Sequence, residues 1–532
     1  MKRVASSGHT KRSVSKLDSQ RSKNPFHLIP SAVILHQVFS FLHFSEIKTL
    51  VLSSALTPLL EEITGKVVED SDLSKSLHSH LLRIFSKSSS LHWQGKSETF
   101  KISDFLAVIP HLIHISCVKI LSSTLEYLMP ITQKNLSSLI TFDFSSNLIG
   151  DELAKVLARH LENMTQLRFL NLNDNQIKKE GAIEIAKALE KHSALKVLNL
   201  GNNPIGDKGA MEIAKALMKH SRLKKLDLRC NEIGEKGAIE IAKALVKHSL
   251  NSLDLSHNEI GDKGVMETAK ALENHSALKE LNLANNRIGE KGVIEIAKAL
   301  EKHSSLNSLN LASNGIEEKG AIKIAKALVK HSLKELNLGG NSIGDEGAIE
   351  IAKEFEKHSL NWLDLRWNSI GEKGVIEIVK ALEKHSSLTT LDLSGNPIGE
   401  KGAIEIAKAL EKHSSLKKLY LSSNSIGEKG AIEIAKALEK HSLNSLDLGW
   451  NSIGEKGAIE IAKALEKHSS LNSLDLEWNA IGEKGAIEIV KALGENSSLN
   501  YLDLRNNKIG EEGAKKLEEN LKERLRKVNV CF

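Results

Sequence analysis

From Leu139 onward the chain repeats itself. The pattern L-x-x-L-x-L-x-x-N returns fourteen times, with its asparagine at Asn147, Asn175, Asn203, Asn231, Asn258, Asn286, Asn314, Asn341, Asn368, Asn396, Asn424, Asn451, Asn479 and Asn507, in steps of 28 or 27 residues. Self-similarity at that period means a stack of small units, since one unit cannot bury its own apolar face. The four 27-residue steps fall where HSSL or HSAL shortens to HSL, as at His441–Leu443. A deletion is tolerated in a connection, so the length change marks a loop rather than an element.

Each unit divides in two. L-x-x-L-x-L alternates apolar and polar residues as a strand with one buried face does, so Leu471, Leu474 and Leu476 are expected to point inward. The asparagine can bond backbone groups of its own turn and of the next copy, which gives a ladder. I-G-E-K-G makes a turn, and GAIEIAKALEKH has a helical period: Ala458, Ile461, Ala462 and Leu465 share one face, while Glu460, Lys463, Glu466 and Lys467 face water. Stacking such units predicts an α/β solenoid with a parallel sheet inside and helices outside.

LNSLDLSHNEIGDKGVMETAKALENHSAL and its sister copies, from Leu139 to about Gly513, resemble leucine-rich repeats of the ribonuclease-inhibitor and NLR-receptor type. The resemblance implies a horseshoe with its strands on the concave face, spanning residues 139–513. Ribonuclease inhibitors are rich in cysteine, and this chain is not. Leu112-x-x-Ile115-x-Cys117 lies 27 residues before Leu139-x-x-Phe142-x-Phe144 but lacks the asparagine, so residues 112–138 read as a degenerate capping repeat. At the other end Leu517, Leu521 and Leu525 line one side of a charged stretch, so residues 514–532 are expected to form a capping helix.

The first 138 residues hold no regular copy. Residues 1–24 form a basic, serine-rich tail without the composition of a packed segment. In residues 25–65, Ile34, Leu35, Val38, Phe39 and Leu42 lie on one helical face, and Ile47, Leu50, Val51 and Ala55 continue as a second helix, a small all-α module. The stretch also resembles an F-box, with Ile29-Pro30, Val38-Phe39-Ser40-Phe41-Leu42 and Glu46-Ile47 at the matching steps. That resemblance implies that Pro30, Ile34, Leu35, Val38, Phe39 and Leu42 face the Skp adaptor of a cullin ubiquitin ligase. The pattern departs from the motif at Ala32, where a glutamate is usual near the proline, and lacks a closing tryptophan. Residues 66–111 are expected to be a helical connecting region.

Composition narrows the function. The tail carries seven Lys or Arg and one Asp, a charge of +6 that equals the +6 of the whole chain, so the body is neutral and offers no nucleic-acid footprint. Three scattered cysteines, Cys117, Cys230 and Cys531, make no disulfide framework and suit a reducing cytoplasm, whether the chain's own or a host cytosol into which it is delivered. The N-x-S/T triplets at Asn135, Asn163 and Asn496 come without a secretory signal and are read as chance. No apolar run reaches the roughly 18 residues of a membrane span. No Ser, Cys or Lys stands beside a distinctive base and no phosphate loop occurs, so neither an enzyme nor a cofactor is expected. Eleven histidines share one slot, but the same slot holds Asn163 and Asn496, which fits helix capping better than a metal array.

Two surface patterns remain. The residue between the second and third strand leucines is Asp or Asn in thirteen of fourteen copies, among them Asp364, Asp392, Asp447, Asp475 and Asp503. This concave stripe is either part of the repeat's own structure or selective for a basic partner. Aromatic residues are only 4% of the chain, yet Trp362, Trp367, Tyr420, Trp450, Trp478 and Tyr501 all fall in strand segments of the last six copies, with Arg366 and Arg505 beside them. Trp, Tyr and Arg dominate interface hot spots, so these eight residues are the candidate partner-binding surface on the concave face and its rim. The function expected is an adaptor that recruits a protein to a Skp–cullin ligase. The alternative is a sensor or inhibitor scaffold without that link.

Overall fold

The computed structural model describes residues 50–52, 90–94, 114–118 and 136–532, apart from short gaps at 220–221, 276, 304, 329–332, 356–359, 385–386, 414, 469, 494–497 and 525–527. Among the described residues, eighteen strands form one sheet in which every strand runs parallel to its neighbour in sequence, and fourteen α-helices follow from Asp151 to Arg524. The basic tail and the F-box-like positions Pro30, Ile34, Leu35, Val38, Phe39 and Leu42 lie outside the described residues.

The repeat supplies its own register. Each copy places three residues in the sheet, so Ser445–Asp447 pairs with Ser473–Asp475, and that strand with Tyr501–Asp503, leucine opposite leucine. Leu471, Leu474 and Leu476 are buried, as are Ala458, Ile461, Ala462 and Leu465 on the facing helix Gly454–Lys467. Neighbouring strands sit about 4.8 Å apart, while packed helices need about 8–10 Å. A stack of such units therefore curves, with the sheet on the inner side.

Buried asparagines tie each turn to both neighbours. Asn479 donates from Nδ2 to Leu448 O at 2.8 Å and Leu476 O at 3.1 Å, and its backbone N–H donates to Asn507 Oδ1 at 2.9 Å. The second glycine of I-G-E-K-G is required by packing: a Cβ on Gly457 would lie 2.5 Å from Ile453 Cγ2 and 3.1 Å from Ala431 Cβ. The histidine slot ends the helices. His468 Nδ1 accepts from Leu471 N at 3.1 Å, and His192 Nε2 reaches Met164 O of the previous copy at 2.7 Å.

Three stretches differ from the sequence expectation. Leu50–Leu52, expected within a second helix, is a strand, and so is Ser90–Gln94 in the stretch expected to be helical. Both extend the sheet beyond the regular copies, pairing Leu50 with Leu91 and Leu91 with Ile115. A three-residue strand can be recruited by an open sheet edge whose backbone groups need partners, whatever its helical periodicity. At the C-terminus, helix Gly510–Arg524 is followed by a strand, Asn529–Cys531, so a helix alone does not close the solenoid. Val530 pairs with Leu502 and packs on the core, covering an apolar edge that the last helix leaves open.

Candidate functional site

Two neighbouring positions after the third strand leucine shape the inner rim. The second of them is the slot of Trp367, Trp450 and Trp478, and its backbone is left-handed in copy after copy: φ is +53°, +57° and +54° at the tryptophans and +67° at Gly340. That geometry explains why other copies use Asn202, Asn285, Ser313, Gly395 or Ser423 there. A bulky side chain in this region costs roughly 1–2 kcal/mol, so the three tryptophans sit against the local backbone preference. They also remain in water, with 60%, 49% and 47% of their surface exposed for Trp367, Trp450 and Trp478.

The register brings the candidate residues into two groups. In the first, Arg366 lies over Asp364 at 3.1 Å and reaches toward Asp392 at 3.9 Å, while the Trp367 indole covers Gly395, where a Cβ would collide with the ring. Trp362 starts the same strand and is half-buried. In the second, Trp450 and Trp478 stack with centroids 4.4 Å apart at 22°. Trp450 Nε1 donates to Glu477 Oε1 at 3.2 Å, and Arg505 bridges Glu477 to Asp503. Tyr501 Oη donates to Asp503 Oδ2 at 2.9 Å. Tyr420 stands between the groups, its strand pairing it with Asp392 on one side and Asp447 on the other.

The Asp/Asn stripe has a structural duty. Its Oδ1 accepts the backbone N–H two residues on, at 2.9 Å for Asn337 to Gly339, 3.0 Å for Asp364 to Arg366, and 2.9 Å for both Asp447 to Gly449 and Asp475 to Glu477. Asn and Asp perform this duty equally, so it does not explain why the last six copies hold five Asp and no Asn where the first eight mix the two. Stacked carboxylates repel. Burial, with the charges of Asp447 and Asp503, pushes Asp475 up to about 6, and burial with Asp392 does the same for Asp364. Asp503 escapes this: burial acts to raise it, but hydrogen bonds from Arg505 and Tyr501 hold it below the ordinary carboxylate value.

Sequence comparison agrees with the repeat geometry. The family model described as Leucine Rich repeat matches thirteen segments, from 163–186 to 495–517, which together cover more than half of the chain. The chain belongs to the leucine-rich-repeat family. Compared with curated proteins by sequence, this leucine-rich-repeat chain matches none. Among solved structures it is similar to an internalin, InlF, from Listeria monocytogenes, with 20% identity, a TM-score of 0.43, and coverage of 72% of this chain and 96% of that one. It is also similar to the yeast Rad7 and Elc1 complex, with 15% identity, a TM-score of 0.45, and coverage of 90% and 98%. Neither similarity carries a functional argument at these scores. Among the described residues of this leucine-rich-repeat protein, no helix is long and apolar enough to cross a membrane.

Asp447 and Asp475 belong to this site as members of the stripe read from sequence, whereas Glu477, Gly395 and Gly449 also border it and were not singled out there. Their signal was present, since an Asp followed two residues later by Arg or Glu recurs only in some copies. Its meaning needs the strand register that sets one copy's glycine beside the next copy's charge.

Proposed function

We propose that this protein is a non-catalytic scaffold that holds a protein partner on the concave face of its last six repeats, through Trp362, Arg366, Trp367, Tyr420, Trp450, Trp478, Tyr501 and Arg505. One observation carries this: three exposed tryptophans occupy left-handed slots that most other copies give to Ser, Asn, Asp or Gly, with Cys230 and His257 the two exceptions. Large exposed aromatics placed against backbone preference are explained by contact energy gained on binding, not by folding. Full-length protein used as bait should retain its partner in the native form and lose it in Trp450→Ala/Trp478→Ala, with an unchanged melting temperature. Equal retention by the variant would refute the surface.

The finer role, delivery of that partner to a Skp–cullin ubiquitin ligase, rests on the F-box resemblance of residues 25–65. The strand at Leu50–Leu52 leaves that resemblance to Pro30, Ile34, Leu35, Val38, Phe39 and Leu42, which lie outside the described residues. Full-length protein should co-purify with a eukaryotic Skp adaptor, and Phe39→Asp/Leu42→Asp should abolish it. Absence of co-purification removes the ligase and leaves the scaffold.

A further inference from the structure

In consecutive copies eight, nine and ten the rim slot holds Gly340, Trp367 and Gly395, a large ring between two residues without side chains. Neighbouring slots touch along the rim. A Cβ on Gly340 would meet Ser313 Oγ of the copy before at 2.9 Å, and Asn285 Nδ2 lies 2.8 Å from His257 Nδ1. Trp367 reaches the copy after it in the same way. A Cβ on Gly395 would lie 2.5 Å from Trp367 Cε2 and 2.7 Å from Cε3, so the indole rests one face on bare Gly395 backbone.

Copies twelve and thirteen show what covers the other face of such a ring. There the preceding slot supplies it: Trp450 stacks on Trp478 with centroids 4.4 Å apart at 22°. The residue placed to cover Trp367 in that way is Gly340, which has no side chain to do so. Exposure agrees, since Trp367 keeps 60% of its surface in water and Trp478 keeps 47%. Among the described residues no ring or cation stacks on Trp367. Its neighbour Arg366 turns to Asp364 at 3.1 Å and Asp392 at 3.9 Å instead. The fold therefore holds an indole flat from one side and leaves the face toward copy eight open.

We propose that an aromatic side chain of the bound protein stacks on the open face of Trp367 above Gly340, as Trp450 stacks on Trp478. This rests on the concave aromatic surface being the protein-binding face, and it adds the chemistry of the partner: an exposed Tyr, Phe or Trp inserted beside the rim. A ring fits there, because one strand spacing is about 4.8 Å and the centroids of paired aromatic rings lie about 4.5–7 Å apart. An aromatic group is favoured over arginine, whose five N–H donors need acceptors. The flanking slots are glycines, and the carboxylates of this strand and the next, Asp364 and Asp392, already face Arg366.

Fluorine NMR of the full-length protein labelled with 5-fluorotryptophan tests this, with N-acetyl-tyrosinamide, N-acetyl-leucinamide and N-acetyl-argininamide as probes. Trp367→Phe assigns the Trp367 signal. That signal is expected to shift saturably, with binding about fivefold tighter for the tyrosine probe than for the other two. Gly340→Trp, which supplies the covering ring from the chain itself, should remove the shift. The slot accepts tryptophan in three copies, so the fold tolerates this variant. No saturable shift, equal binding of the three probes, or an undiminished shift in Gly340→Trp overturns the proposal. The surface itself is judged separately. If Trp450→Ala/Trp478→Ala loses the partner while Gly340→Trp keeps it, the binding face stands and the aromatic contact on Trp367 falls.

Discussion

At the scale of single residues, the acidic stripe makes the isolated protein less stable at neutral pH than its own repeat allows. Asp475 shows how to measure this. Its ordinary carboxylate value of 3.8 is raised to about 6 by burial and by Asp447, Asp503 and Glu477, and Arg505 on the next strand is held by Asp503. A folded value above the unfolded one means the charged form opposes folding, and that cost vanishes as pH falls through about 6 toward the ordinary value. Asp475→Asn keeps the bond to Glu477 N, so it should stabilise the fold near neutral pH by about 1 kcal/mol and give almost no gain near pH 4. Denaturant midpoints at the two pH values decide it, and a gain independent of pH would contradict the assignment. The eight candidate residues were legible because rare aromatics in a repetitive chain stand out by position. The left-handed backbone beneath three of them was not, because a slot filled by Ser, Asn, Asp, Gly, Cys, His and Trp has no compositional signature until φ is known.

At the scale of elements, helix and strand were legible where the repeat is regular, since fourteen copies vote on the same apolar positions. Leu50–Leu52, Ser90–Gln94 and Asn529–Cys531 were not legible, because three to five residues without a sister copy carry no period and take their conformation from the sheet edge beside them. The histidine slot belongs to this scale too, for in described copies such as those of His192 and His468 it closes a helix against the next strand. Burial lowers the values of His441 and His468 below 6.5; the backbone carbonyl of the preceding copy acts the other way, and His413, His468 and Lys417 add repulsion at His441. The neutral rings therefore contribute fully above 6.5, and that contribution is lost as pH falls through it. His441→Asn/His468→Asn, which copies the residue used at Asn163 and Asn496, should unfold at a more nearly constant denaturant concentration between neutral and mildly acid pH. A wild-type-like acid loss in that variant would assign the sensitivity elsewhere.

At the scale of the whole molecule, a solenoid is a one-dimensional object in which each repeat touches only its neighbours, so length and surface evolve separately. The first eight copies keep a mixed Asp/Asn stripe and no tryptophan in the rim slot, while the last six gather the carboxylates and the tryptophans. Function concentrated in one arc is the central claim, and it can be mapped directly. A photo-crosslinking amino acid placed at Ser423, at Asn285 in the equivalent slot of the N-terminal half, or at Lys436 on an outer helix samples three faces of one fold. The expected result is a covalent partner adduct from Ser423 alone, lost when Trp450→Ala/Trp478→Ala is added. Adducts of equal yield from Asn285 or Lys436, or an adduct at Ser423 that survives loss of both tryptophans, would contradict it.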